Sequence, residues 1–108
     1  PPIGKTIELM KLLTSPTTLK DWANIDSTTE NPHLQTEQMP NGLFDHEKRV
    51  WLQMQSEKLY DLSVKFAEIY RKNGQHYFLS MSVALQYESE QCIKASKRKY
   101  IEYQPLLK

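Results

Sequence analysis

The sequence has one cysteine, three glycines and no long apolar run. Each scarcity excludes something. With Cys92 alone, no internal disulfide can form, and such sparing use of cysteine fits a reducing compartment, nucleus or cytoplasm. Gly4, Gly42 and Gly74 give a phosphate-cradling loop little to work with. No P-loop, G-x-G-x-x-G or G-x-S-x-G pattern occurs. No stretch approaches the roughly 18–20 apolar residues that a bilayer-spanning helix needs, so no membrane partner is expected. His33, His46 and His76 are never four residues from one another or from Cys92, and H-E-x-x-H is absent, so no local metal pair exists. Neither a metal, a cofactor nor a small-molecule substrate is expected.

What is present is polar and helical in pattern. The 108 residues fit one domain, and a chain of that size buries roughly 60–70% of its unfolded surface. Charged residues make up 25% and apolar ones 39%, a low apolar share that suits helices burying a stripe each. The start at Pro1-Pro2-Ile3-Gly4-Lys5, without Met, leads us to expect a fragment of a larger intracellular protein. The net charge of +1 is uneven: residues 94–108 carry five bases against one acid, while the rest of the chain is slightly acidic.

Ile7, Leu9, Met10, Leu12 and Leu13 make a short first helix, ended by Ser15-Pro16. Leu19, Trp22 and Ala23 give a second short helix one apolar face, with Thr17 or Thr18 as its cap. Ser15-Pro16 also has the form of a proline-directed phosphorylation site. Residues 24–42 lose the pattern and read as a mobile loop closed by Pro40-Asn41-Gly42. A helix then starts near Asp45. Leu52, Gln55, Leu59, Leu62, Phe66 and Ile69 follow at alternating spacings of 3 and 4, as in a packed seam. Lys72-Asn73-Gly74-Gln75 interrupts the pattern, and Phe78, Met81, Leu85 and Cys92 resume it, with Ser89 at the skipped position. The expected fold is therefore all-α: a long antiparallel helical hairpin, about 45–73 and 75–103, with the two short N-terminal helices packed on it as a small bundle. No run alternates with period two, so no strand is expected.

Phe66-Ala67-x-x-Tyr70-x-x-x-Gly74 resembles the first helix and turn of a tetratricopeptide repeat hairpin, and is similar to the microtubule-interacting-and-transport hairpins. The likeness spans nine residues; no small residue follows near Leu79 and no second copy occurs. It implies helix-hairpin packing, which those families use to bind peptide segments or other helices.

Carboxylates fall on helix faces: Glu88 and Glu90 face different directions, and the i, i+4 pair Glu57 and Asp61, beside Lys58 and Lys65, reads as solvated charge. Cys92 reads as a small apolar residue of a helix face. The expected function is a non-catalytic protein-protein interaction or assembly module, not an enzyme. It would bind a partner helix or peptide, or a second copy of itself, through surplus apolar surface. Trp51, Met54, Tyr70, Tyr77 and Tyr87 are the contact candidates, because aromatic residues and Met are enriched at interfaces. The alternative is an RNA- or DNA-binding module using Lys94, Lys97, Arg98 and Lys99; the competing account of that cluster is a favourable interaction with a helix C-terminus.

Overall fold

The computed structural model describes residues 24–28 and 35–107. Two helices form the body: α1, Asp45–Asn73, and α2, His76–Ser96. They pack side by side, and no strand occurs among the described residues. The two short helices expected within residues 1–23 lie outside the described residues.

Helix α1 begins where local chemistry allows. Phe44 is extended (φ −71°, ψ 162°) and its carbonyl takes the first helical bond, from Lys48 N–H at 2.9 Å. Glu47 reaches back so that its Oε1 accepts from the Phe44 N–H at 3.0 Å, satisfying a donor that the helix leaves over. Asp45 and Glu47 sit at the positive end of the helix, Arg71 and Lys72 at the negative end. Gly74 stops it at φ +70°, ψ 9°, with its N–H on the Tyr70 carbonyl at 2.7 Å. A β-carbon would meet nothing within 4 Å, so glycine is needed there for its backbone conformation rather than for space. Asn73 Oδ1 then accepts from Gln75 N–H at 3.0 Å, and α2 starts one residue later.

The interhelical seam is built on serine. Ser82 Oγ donates to the Ser63 carbonyl at 2.6 Å, and Ser89 Oγ to the Ser56 carbonyl at 2.7 Å. The hydroxyls of Ser56 and Ser89 are 2.9 Å apart. These bonds join side chains of one helix to the backbone of the other, so the helices approach closely. Each pair lies seven residues along one helix and seven back along the other, which fixes an antiparallel register. The same step brings Arg49 opposite Ser96. Between the serine levels sit Phe66 and Phe78, edge to face at 5.8 Å, then Leu59 with Leu85 and Leu52 with Cys92, all fully buried. The expected seam holds at Leu52, Gln55, Leu59, Phe66, Ile69, Phe78, Leu85, Ser89 and Cys92, and departs at Leu62 and Met81. Ser63 and Ser82 are buried, while Leu62 and Met81 pack on the edge of the core.

Helix α2 ends at Ser96, seven residues short of the expected 103. The reason lies on α1. The Arg49 guanidinium accepts no continuation: its Nη1 donates to the carbonyls of Ser96 at 2.6 Å and Arg98 at 3.0 Å, acceptors that another helical turn would need. Three successive cations, Lys97, Arg98 and Lys99, also oppose a tighter winding. Residues 101–107 have no regular secondary structure and pack on the hairpin, with Ile101 and Pro105 buried and Thr36 N–H bonded to the Leu107 carbonyl at 3.0 Å. Within the stretch read as a mobile loop, Ile25 and Thr36 are buried, and Asn73 Nδ2 donates to the Ser27 carbonyl at 3.3 Å.

The seam has a direct test. Ser89→Ala loses both interhelical bonds of the Ser89 hydroxyl, to the Ser56 carbonyl and hydroxyl, and should lower unfolding free energy by about 1–2 kcal/mol. Ser89→Leu adds bulk where the backbones are close and should cost more, about 1–3 kcal/mol of overpacking on top of the lost bonds. Chemical denaturation of the two variants checks the order. Equal losses would mean that the helices are not closely apposed at this level.

Candidate functional site

One flank of the hairpin carries a buried polar knot. Glu88 is fully buried on α2. Its Oε1 accepts from the Thr36 hydroxyl at 2.9 Å, the Tyr103 hydroxyl at 2.6 Å and the Leu106 N–H at 3.0 Å. One carboxyl oxygen thereby ties the chain that enters α1 and the chain that leaves α2 to the same helix. Trp51 of α1 packs on Tyr103 with ring centroids 5.7 Å apart, adding an apolar contact to the polar ones. Glu88 Oε2 has no partner, and neither has Nε2 of the buried Gln55. The two residues adjoin Ser89 and Ser56, which bond to each other, so an unmet acceptor and an unmet donor lie at one level of the seam.

The nearby thiol is unsuited to attack. Cys92 lies one helical turn from Glu88 and is fully buried. Burial, opposed by the Tyr103 hydroxyl and aided by the Glu88 charge, raises its pKa from 9.0 to about 11. A nucleophilic cysteine needs the opposite shift. Burial and then the bond to Glu88 hold the Tyr103 phenol well above its ordinary value. Burial alone moves Tyr77 from 10.0 to about 12. Among the described residues no three of His, Cys, Asp and Glu are grouped to hold a metal ion, and no helix is long and apolar enough to cross a membrane. His46 stacks on Phe44 at 5.9 Å and His76 lies 6.0 Å from Tyr70, both exposed; His33 lies outside the described residues.

The other flank is the serine side. Tyr60 and Val64 follow Ser56 at helical spacing on α1, as Leu79 and Val83 accompany Ser82 on α2. They are 52%, 44%, 37% and 60% exposed. By the register of the seam Val83 lies opposite Leu62 and Leu79 opposite Phe66, so the four spread over the two turns of the hairpin between positions 60 and 66 of α1. The knot, the linker and the tail lie on the opposite flank.

The contact candidates divide. Met54 and Tyr87 are exposed, on the outer faces of α1 and α2. Trp51, Tyr70 and Tyr77 are half-buried and pack against the core. The structure does not gather the five into one patch. Tyr60, Val64, Leu79 and Val83 were missed from the sequence, although each pair repeats at i, i+4 beside a serine of the seam. Lys94, Lys97, Arg98 and Lys99 are exposed around the end of α2, and no described acid pairs with them. Lys99 Nζ lies 5.8 Å from the centre of the Tyr100 ring. Arg49, not this cluster, takes the free carbonyls at the helix end.

Comparison with protein-family models, with characterised proteins by sequence and with solved structures finds no match to the chain.

The raised thiol and phenol values predict loss of stability in alkali. The folded chain holds Cys92 and Tyr103 neutral, so their contribution is complete below pH 9, the ordinary thiol value, and fades as pH rises from 9 toward 11 and beyond. Each group adds up to about 1.4 kcal/mol of loss per pH unit across its window. Cys92→Ala should flatten the pH 9–11 part of a stability-against-pH curve. An unchanged slope would remove Cys92 from the cause.

Proposed function

We propose that this chain is a non-catalytic docking module whose serine-side face takes an apolar helix of a partner protein or of a second copy. The observation that carries the reading is the patch of Tyr60, Val64, Leu79 and Val83, large apolar side chains left substantially exposed while the core behind them is complete. Four such residues on neighbouring turns of two helices form a shallow surface against which a third helix can pack. Met54 and Tyr87 extend the apolar surface around the outer faces. Burying such a patch on association is favourable at about 25 cal/mol per Å² of apolar area, before the costs of binding. The buried, protonated thiol offers no competing nucleophile.

The double variant Val64→Asp/Val83→Asp tests this. Both positions face outward, so the helical circular dichroism and the unfolding midpoint should change little. Association, read as solution mass over a concentration series and as capture of a partner from extract, should be abolished, and for the unmodified chain it should vary little with salt. An unmodified chain that stays monomeric and retains nothing, or a variant that associates as before, overturns the proposal.

A second reading has its own support. With Arg49 already on the carbonyls at the end of α2, the dipole account of Lys94, Lys97, Arg98 and Lys99 loses much of its force, and these cations are available for nucleic-acid phosphates. On this reading a single-stranded RNA binds with steep salt dependence, and Lys97→Ala/Arg98→Ala/Lys99→Ala lowers the slope of log affinity against log salt by about 2. A salt-independent or absent anisotropy change dismisses it.

A further inference from the structure

The serine-side patch ends in opposite charges. On α1, Glu57, Tyr60, Val64, Ala67 and Arg71 follow one another at spacings of 3 and 4, so they share a face. Val64 stands midway, with Glu57 seven residues before it and Arg71 seven after. Both charged residues are exposed. On α2, Leu79, Val83 and Glu90 lie on the matching flank. Ser89 bonds to Ser56, so the exposed Glu90 lies near the level of Glu57. The acids therefore stand at one end of the patch and Arg71 at the other.

The register of the seam carries the midpoint across the hairpin. Ser82 Oγ bonds to the Ser63 carbonyl, so position 81 of α2 lies level with Val64. Leu79 and Val83 stand two residues to either side of that level. A two-fold axis crossing both helices there exchanges the ends of each helix. It lays Val64 on Val64 of a second copy, Leu79 on its Val83, and Glu57 on its Arg71, the last contact formed twice. Glu90 is carried toward the start of the second copy's α2, a positive helix end whose first turn holds no acid. The other face-to-face arrangement fails on charge. An axis parallel to the helices lays α1 on the second copy's α2 at equal levels. Glu57 then meets Glu90, and no acid stands opposite Arg71. A foreign helix would have to bring both charges in this order, whereas a second copy already carries them.

We propose that two copies of this chain pair through the serine-side face about an axis at Val64, α1 antiparallel to α1 and α2 to α2, as a four-helix bundle. The inference rests on the docking reading above and names the second copy as the occupant. The apolar layer of Tyr60, Val64, Leu79 and Val83 supplies the affinity. The two Glu57–Arg71 pairs at its ends contribute less to affinity and fix the direction of approach.

The test uses the whole chain, with sedimentation reading the dimer and circular dichroism checking that each variant stays helical. Glu57→Arg alone and Arg71→Glu alone each set like charges against each other at both ends. Each should weaken self-association about tenfold or more. Mixed together, the two variants should pair with each other at close to the original strength, because each brings the charge that the other lacks. Native mass spectrometry, with one variant labelled with nitrogen-15, reads the mixed dimer. Val64→Cys should cross-link to its own copy under mild oxidation, since the axis passes beside it, while the buried Cys92 does not compete. A chain that stays monomeric up to about 1 mM, a dimer indifferent to either charge reversal, or a mixture no tighter than its components, would each overturn the proposal. A monomer that binds a partner helix, and loses it on Val64→Asp/Val83→Asp, overturns the two-fold pairing and leaves the docking face standing. A dimer that survives that double variant overturns both.

Discussion

Two helices can lie this close only where the residues between them are small, and the serine-to-carbonyl bonds set that distance. Ser82 to Ser63 and Ser89 to Ser56 are side-chain to backbone contacts across the seam, which a larger residue would push apart. Serine here does two things that alanine would do by halves. It is small enough for close approach, and its buried hydroxyl is satisfied by a carbonyl that still keeps its own helical bond. The large residues then fall into the intervening levels, where Phe66 meets Phe78 and Leu59 meets Leu85. A narrow seam has a consequence. It buries a strip, and the apolar residues on either side of the strip need other cover.

On one flank that cover is the chain itself. Ile25, Met39, Ile101, Tyr103 and Leu107 lie against the core, and a single buried carboxyl holds the segments that carry them. Burying Glu88 is costly unless its oxygens are bonded, and Oε1 accepts three donors. The arrangement is cooperative in a plain sense. Thr36 and Tyr103 reach the same atom, so losing either segment weakens the other's hold and leaves a buried acceptor short of a partner. The unpartnered Oε2 and Gln55 Nε2 already charge the fold about 1–3 kcal/mol each.

The hairpin was legible because its signals are local. Gly74 between two periodic stretches announced the reversal, and the acids at Asp45 and Glu47 marked the start of α1. What stayed hidden depends on contacts between residues far apart in sequence. Ser89 was visible at a skipped seam position, but Ser56 and Ser63 of α1 and Ser82 and Ser96 of α2, which share its seven-residue spacing within each helix, score as polar in a hydrophobic count that passes to Leu62 and Met81. Glu88 was read by its charge, and its burial follows from Thr36 and Tyr103, 52 and 15 residues away. The end of α2 was placed at 103 because Tyr100 and Ile101 continue the apolar pattern. Arg49, 47 residues upstream of Ser96, takes the carbonyls instead. Of the contact candidates, the choice by residue type favoured aromatics. Tyr70 and Tyr77 turned inward, while valines beside the serines stayed out.

The two flanks therefore differ in what they can offer a partner. The serine side presents side chains on regular helices, with no free backbone, so anything that docks there must do so by apolar burial. The knotted side presents irregular segments, tied to the hairpin through Glu88 and to each other by a main-chain bond from Thr36 to Leu107. That difference originates in Arg49. Its bonds to the carbonyls of Ser96 and Arg98 lie where α2 stops, and residues 97–100 turn before the chain runs on without regular secondary structure. Had α2 run on to 103, Tyr103 would lie about two turns beyond Ser96, roughly 10 Å along the axis, and could not return to Glu88. The clamp and the buried tail both follow from one guanidinium placed four residues into α1.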